Sequence, residues 1–190
     1  MQNPDYKKEY LKLLANKFPT AREAAAEIID LDAIMRLPKG TEHFMSDLHG
    51  EYEAFTHILS NASGVIREKV EQLYGNSMTE SERNEFATFV YYPQAVIAEM
   101  KGKGVDLKDW YIVQLHRLIE VCRTVASKYT RSKVRKALPR DYMYVIDELI
   151  NMSHQSINKQ NYYDNIISSI IELNDADSFV VAMCELIQRL

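Results

Sequence analysis

Asp47-Leu48-His49-Gly50 sets a carboxylate and an imidazole two residues apart, followed at once by a residue without a side chain. A short apolar run leads into it and an amphipathic pattern follows, so the order reads as strand, tight turn, helix. At the tip of a strand both side chains can turn toward one point. A carboxylate and a neutral imidazole converging there suit a borderline divalent cation. Gly50 leaves the turn, and any ligand approaching its backbone, unobstructed. Glu51 comes next, where negative charge in a first helical turn is favoured by the macrodipole. It also stands near enough to Asp47 to support a metal ligand without being one. The competing reading is plainer: Asp47 caps the helix and His49 is an incidental surface histidine.

The second group that could do chemistry is the basic run Lys128, Arg131, Lys133, Arg135 and Lys136. On one continuous helix, Arg117, Lys128, Arg131 and Arg135 share a face away from the apolar seam. A solvated helix face accounts for this. The sharper alternative is recognition of a phosphate or an anionic effector, for which arginine supplies paired contacts. His43, His57, His116 and His154 have no ligand partner nearby in the pattern and read as packing or surface residues. Twelve tyrosines include the pairs Tyr91-Tyr92 and Tyr162-Tyr163 at helix boundaries. Such rings bury their bodies and wet their hydroxyls; the alternative is a subunit interface in a homo-oligomer.

The elements that must position these groups are mostly helices. Tyr6 to Lys17 is the first, with Tyr10, Leu13, Leu14 and Phe18 as its apolar set. Thr20 with Glu23 forms a capping-box pattern for a helix from about Ala21 to Arg36, with Ala24, Ile28, Leu31 and Met35 at helical spacing. Thr41 to Ser46 is the strand, and Glu51 to Leu59 the helix behind the turn. Val65 to Tyr74 follows. Thr79 with Glu82 opens another helix toward Val90. Pro93 sets a boundary, and Gln94 to Lys101 is helical. Asp106 caps a long segment reaching about Ala137, with Leu115, Leu118, Cys122, Val125 and Tyr129 as its seam. Pro139 breaks it. Asp141 to Ser153, Tyr162 to Leu173 and Asp177 to Leu190 complete the chain, with a polar loop from Ser156 to Asn161.

Six glycines and five prolines in 190 residues fit a helical molecule, and a hydrophobic fraction of 46% is enough for a core. The net charge of -4 argues against a general nucleic-acid binder. No apolar stretch approaches the length needed to cross a membrane, and Met1 to Tyr10 has no signal-peptide character. A cytoplasmic protein is expected. Cys122 and Cys184 fall in apolar helical contexts and read as buried free thiols. A lone strand cannot satisfy its backbone, and the last helix meets Leu190 without a stop signal. Both features lead to the expectation that the chain is the N-terminal portion of a longer protein.

Ser-Asp-Leu-His-Gly-Glu resembles the first signature of the calcineurin-like metallophosphoesterases. In wider context, "LPKGTEHFMSDLHGEYEAF", "FVYYP" and "SKYTRSKVRKALP" together resemble the N-terminal part of the bacterial class 3 fructose-1,6-bisphosphatases. The resemblance implies a two-metal site holding manganese (Mn2+) or magnesium (Mg2+), with Asp47 and His49 binding the first ion. It also implies hydrolysis of the 1-phosphate of fructose 1,6-bisphosphate in gluconeogenesis, with a small sugar bisphosphate as partner. The later signatures, Gly-Asp-x-x-Asp-Arg and Gly-Asn-His-Asp/Glu, are absent. The metal site is therefore expected to be incomplete, no catalytic residue is assigned, and the chain alone is expected to be inactive.

The fold expected is mainly α, a multi-helix array with one short β-strand, forming part of a larger αβ metallophosphoesterase. Residues 1–61 carry the first helices and the strand-turn-helix, and residues 62–190 a helical insertion. The alternatives are a different metallophosphoesterase, or a helical interaction or regulatory module.

Overall fold

Capping boxes and 3-4 apolar spacing carry through into structure almost unchanged. The computed structural model describes residues 4–37, 42, 44–61, 64–104, 106–152 and 159–190. Among them the secondary structure is eleven α-helices and one 3-10 turn. The chain divides into two compact units, Met1–Lys39 and Gly40–Leu190.

The first unit holds α1 (Pro4–Lys17) and α2 (Ala21–Met35). The Thr20 hydroxyl accepts from the Glu23 amide at 3.2 Å, and the Glu23 carboxylate accepts from the Thr20 amide at 3.0 Å. Two orphan donors of the helix start are thus satisfied reciprocally. Most apolar positions of both helices are open to solvent: Leu13, Ile28 and Met35 are 67%, 66% and 82% exposed, while Leu14, Phe18 and Ala24 are half-buried. Periodicity located the helices but not a burial partner.

The second unit begins with the Asp47 turn and runs through α3 (Tyr52–Asn61), α4 (Val65–Tyr74), α5 (Glu80–Tyr91) and α6 (Pro93–Gly102). It continues with α7 (Lys108–Ala126), α8 (Arg131–Ala137), a 3-10 turn over Arg140–Tyr142, α9 (Met143–Ile150), α10 (Gln160–Glu172) and α11 (Ala176–Arg189). The expected seam of α7 is the centre of the core. Leu115, Leu118 and Cys122 are wholly buried and Val125 nearly so, while Tyr129 is half-buried. α11 packs along α7 and also meets α5 and α6; α4 packs on α5 and α7, and α9 and α10 on α7. From α11, Phe179, Val180, Met183, Cys184 and Leu186 are wholly buried. Each fully buried side chain of this size stabilises by roughly 1.5–3 kcal/mol relative to exposure.

Polar ties cross the same layers. The Tyr111 hydroxyl donates to the Asp177 carboxylate, which also takes the Lys101 ammonium, joining α7, α6 and α11. Gln188 Nε2 donates to the Val90 carbonyl at 2.6 Å, and Arg123 Nε to the Ile150 carbonyl at 3.1 Å. Burial pushes the Asp177 carboxyl up. The hydrogen bonds from Lys101 and Tyr111 and the Lys101 charge outweigh it and hold the carboxyl below 3.8.

Two expectations need correction. The long helix to Ala137 is two helices. Ser127 Oγ donates back to the Thr124 carbonyl at 2.7 Å, and the Thr130 hydroxyl accepts from the Lys133 amide at 3.2 Å, capping α8. A hydroxyl residue that can cap competes with helix continuation. The strand is the second. Thr41 and His43 lie outside the described residues; Glu42, Phe44 and Met45 have no ladder, and Phe44 is 91% exposed. There is no second strand among the described residues to pair with them. His154 and the first half of the Ser156–Asn161 loop also lie outside the described residues.

Candidate functional site

Directly after Asp47, Leu48–Glu51 is a tight turn closed by the Glu51 amide donating to the Leu48 carbonyl at 3.0 Å. Its central residues, His49 and Gly50, both have positive φ, 49° and 75°. Two such residues in the centre of a four-residue turn are the mark of type I′. Nothing lies within 4 Å of where a Gly50 side-chain carbon would stand, so glycine is needed there for its φ and not for space. His49 takes the same left-handed conformation with a side chain, at a cost of roughly 1–2 kcal/mol. Strain of this kind at a polar residue is a signature of sites held for function.

The turn brings the two expected ligands together. His49 Nε2 is 3.8 Å from Asp47 Oδ2, with both side chains 79% exposed. That separation is too long for a hydrogen bond, and an ion pair so exposed would contribute little to stability. It is short enough for one divalent cation to reach both donors. The capping alternative does not hold. α3 starts at Tyr52, and the Glu51 carbonyl takes its first helical bond, from the Phe55 amide at 2.9 Å. Glu51 is therefore the cap residue, one position ahead of the helical turn expected for it, and Asp47 stands well before the cap.

Asp47 and His49 supply two candidate metal donors, and no third joins them among the described residues. Among the described residues no group of three or more histidine, cysteine, aspartate or glutamate side chains converges on a point. Asp47 and His49 can hold one ion weakly; they do not fit a two-metal cluster by themselves.

The helix behind the turn is anchored by residues to which the sequence pattern gave no role. His57 Nδ1 hydrogen-bonds the Tyr92 hydroxyl, and Asn61 Nδ2 donates to that hydroxyl at 2.8 Å and to the His57 carbonyl at 2.9 Å. The His57 and Tyr92 rings stack with centroids 6.1 Å apart. This clamp ties α3 to the α5–α6 joint. His57 in the middle of α3 and Asn61 one turn on, at its end, were the available signal, since residues i and i+4 share a face.

The basic run is divided. The break before α8 removes the register that put Arg117 with the others: its guanidinium lies 5.9 Å over the Phe86 ring, facing α5. Lys128 and Lys133 both approach the face of Tyr129, at 4.9 and 4.0 Å. Arg135 Nε lies 3.5 Å from Asp147 Oδ2. Arg131 opens α8 on the rim of a cleft of about 260 Å³ shared with Arg123, Tyr129 and Asp147.

His116 Nδ1 meets the Ile112 carbonyl of its own helix at 2.9 Å, as a surface histidine would. Burial pushes the Cys122 thiol up to about 12, and both cysteines are free and buried. Tyr91 is buried with its hydroxyl unpaired, whereas Tyr162 is exposed and shares a 3.0 Å hydroxyl contact with Tyr144. No helix of the described residues is long and apolar enough to cross a membrane.

Residues 9–190 match the model of a family described as Firmicute fructose-1,6-bisphosphatase. The chain is 53% identical over 181 residues to a class 3 fructose-1,6-bisphosphatase of Clostridium novyi, 54% to that of Parabacteroides distasonis and 52% to that of Bacteroides thetaiotaomicron. Each match covers 95% of this chain and 27% of the relative, so the chain spans about a quarter of the length of the curated proteins it matches. No solved structure matches it.

Proposed function

The chain belongs to the Firmicute fructose-1,6-bisphosphatase family, and from that premise we propose that it supplies the first metal-ligand pair of a sugar-bisphosphate phosphatase. Asp47 and His49 are the pair, and the reaction is hydrolysis of the 1-phosphate of fructose 1,6-bisphosphate to fructose 6-phosphate, a cytoplasmic step of gluconeogenesis. The observation that carries the reading is the turn itself: two donors held 3.8 Å apart on a backbone with two successive positive φ angles.

The Asp47 carboxylate and the His49 Nε2 would hold the ion. A divalent cation, Mn2+ or Mg2+, supplies a bound water of lowered pKa and neutralises charge on phosphate oxygens. The chain's own part is positional. The strained turn points both donors to the same side, and the clamp of His57, Asn61 and Tyr92 fixes the helix that follows. Residues 1–61 would belong to the catalytic αβ domain and residues 62–190 to a helical insertion. The wide exposure of Phe44, Ile58 and Leu59 supports a role for the turn within a larger apolar core.

Arg131, with Lys128 and Arg135 around the α7–α8 break, is the proposed contact for the sugar's second phosphate or for an anionic effector. Arg135 already leans on Asp147, which leaves Arg131 as the first residue to test. If Arg131→Ala in the full-length enzyme leaves substrate affinity and effector response unchanged, that assignment is wrong.

The main test has two arms. The 190-residue chain, given Mn2+ and fructose 1,6-bisphosphate, is expected to release no phosphate. Phosphate release that Asp47→Ala abolishes would overturn the expected inactivity. In a full-length protein carrying the later signatures, Asp47→Ala and His49→Ala are each expected to abolish turnover and to weaken Mn2+ binding, followed by the loss of the free-ion resonance signal. Unchanged Mn2+ binding in both variants sinks the metal role and favours an interaction module.

A further inference from the structure

α5, α6 and α7 enclose a cleft of about 710 Å³, within the range of sites that bury small organic molecules. Its walls come from two helical ladders. α7 presents Trp110, Gln114 and Arg117 at i, i+4 and i+7; α5 presents Glu85 and Phe89 at i and i+4, with Phe86 beside them. Phe89 and Trp110 meet edge to face at 5.2 Å and form an aromatic wall.

Gln114 is the one buried polar side chain among the described residues, at 8% exposure, and its Oε1 has no hydrogen-bond partner. A buried carboxamide oxygen left unpaired destabilises the fold. Oε1 has no surface open to the cleft as it stands, and a rotation of the side chain toward the cleft lets an entering donor satisfy it. The charged groups of the lining sort into two kinds. Glu82 is spent on the Thr79 cap and Glu99 pairs with Lys103 at 3.1 Å. Glu85 takes only the Ser81 hydroxyl, at 3.0 Å on one oxygen. The Arg117 guanidinium has an aromatic face beneath it, and its charge reaches the Glu82 carboxyl without a direct ion pair among the described residues.

One guanidinium and one carboxylate without a charged partner thus share a cleft of mixed polar and aromatic lining with a buried, unpaired acceptor. A simple anion would meet Glu85, and a simple cation would meet Arg117. A molecule that carries both charges a few atoms apart satisfies both. We propose that this cleft binds a free α-amino acid with an apolar side chain. Its carboxylate lies on Arg117, its ammonium donates to Gln114 Oε1 and Glu85, and its side chain rests against Phe89 and Trp110. The site is separate from the Asp47 turn and does not depend on the metal reading.

Trp110 is the only tryptophan in the chain, so its emission reports on this cleft alone. The 190-residue chain is titrated with L-phenylalanine and with L-leucine. N-acetyl-L-phenylalanine, which lacks the ammonium, and phenethylamine, which lacks the carboxylate, serve as controls. Both amino acids are expected to give a saturable change below about 10 mM, and both controls none. Arg117→Met and Gln114→Leu are expected to weaken binding at least about tenfold while keeping the far-ultraviolet dichroism of the parent. If Gln114→Leu does not fold, Glu85→Gln on the exposed rim is read instead, with the same expectation. No saturable change, or an equal response to either control, overturns the proposal.

Discussion

At His49 the backbone holds a bulky side chain at a φ of 49°, where glycine would rest without strain. Stability and ligation should therefore move in opposite directions there. His49→Gly is expected to raise the unfolding free energy in urea titration by up to about 1 kcal/mol and to remove Mn2+ binding. Gly50→Ala is expected to lower that free energy by about 1 kcal/mol, because its φ of 75° is wrong for alanine although the space is free. Asp177 offers a test in pH. Its folded carboxyl lies below its unfolded value, so the stability it contributes is fully present above the unfolded pKa and is lost as pH falls through the folded one. Asp177→Asn should lower the denaturation midpoint at about pH 7 and flatten its fall below about pH 4. A variant that still shows the parent's full acid slope would assign that slope to other carboxylates. Such residue-level detail was partly open to sequence reasoning. Asp-x-His-Gly named the pair and the glycine, but not the inverted backbone, since a histidine at positive φ leaves no mark in composition or spacing.

At the scale of elements, local chemistry was legible and context was not. Both capping boxes, Thr20 with Glu23 and Thr79 with Glu82, form as their spacing implied, and α4 begins and ends at the expected residues. Thr79→Ala should cost about 1 kcal/mol in chemical denaturation. It should also let the Glu82 carboxyl rise part of the way toward its ordinary value, because the backbone amide that holds it down most remains and the Thr79 hydroxyl hydrogen bond is lost. The break between α7 and α8 was missed for a physical reason. Its seam residues keep the 3-4 rhythm across Ser127–Thr130, so periodicity runs on where the backbone does not. The information lay in two hydroxyls that bond locally. Gln114 was hidden in the same way, as one polar letter inside an apolar helix, meaningful only once α5 was laid beside it. The expected strand shows the opposite limit: an apolar run states a propensity, and pairing needs a neighbour.

At the scale of the molecule, burial is concentrated on α7 and α11 and thins toward the Asp47 turn. Both thiols lie in the dense region, and Cys122 is pushed up to about 12 by that burial. A thiol-specific disulfide reagent should therefore react with neither cysteine until the core unfolds, and the reaction rate against urea should track the loss of helical dichroism. Fast labelling in native buffer would contradict a closed core. The opposite prediction applies to Met1–Lys39. A dye that fluoresces on apolar surface should bind the folded chain, and Leu13→Lys with Ile28→Lys and Met35→Lys should reduce its emission without shifting the core transition.

The order of helices along the chain has a consequence for synthesis. α11 fills the middle of the bundle, yet it is the last of these helices to be made. Gln188 bonds to Val90 and Tyr111 to Asp177, across 98 and 66 residues. A nascent chain that has emerged only through Glu172 displays the whole α7 seam to solvent and to its neighbours on a polysome. Chaperone demand should peak in that interval, and a pause in translation just before Ala176 should lower the yield of native protein more than a pause anywhere after Arg189.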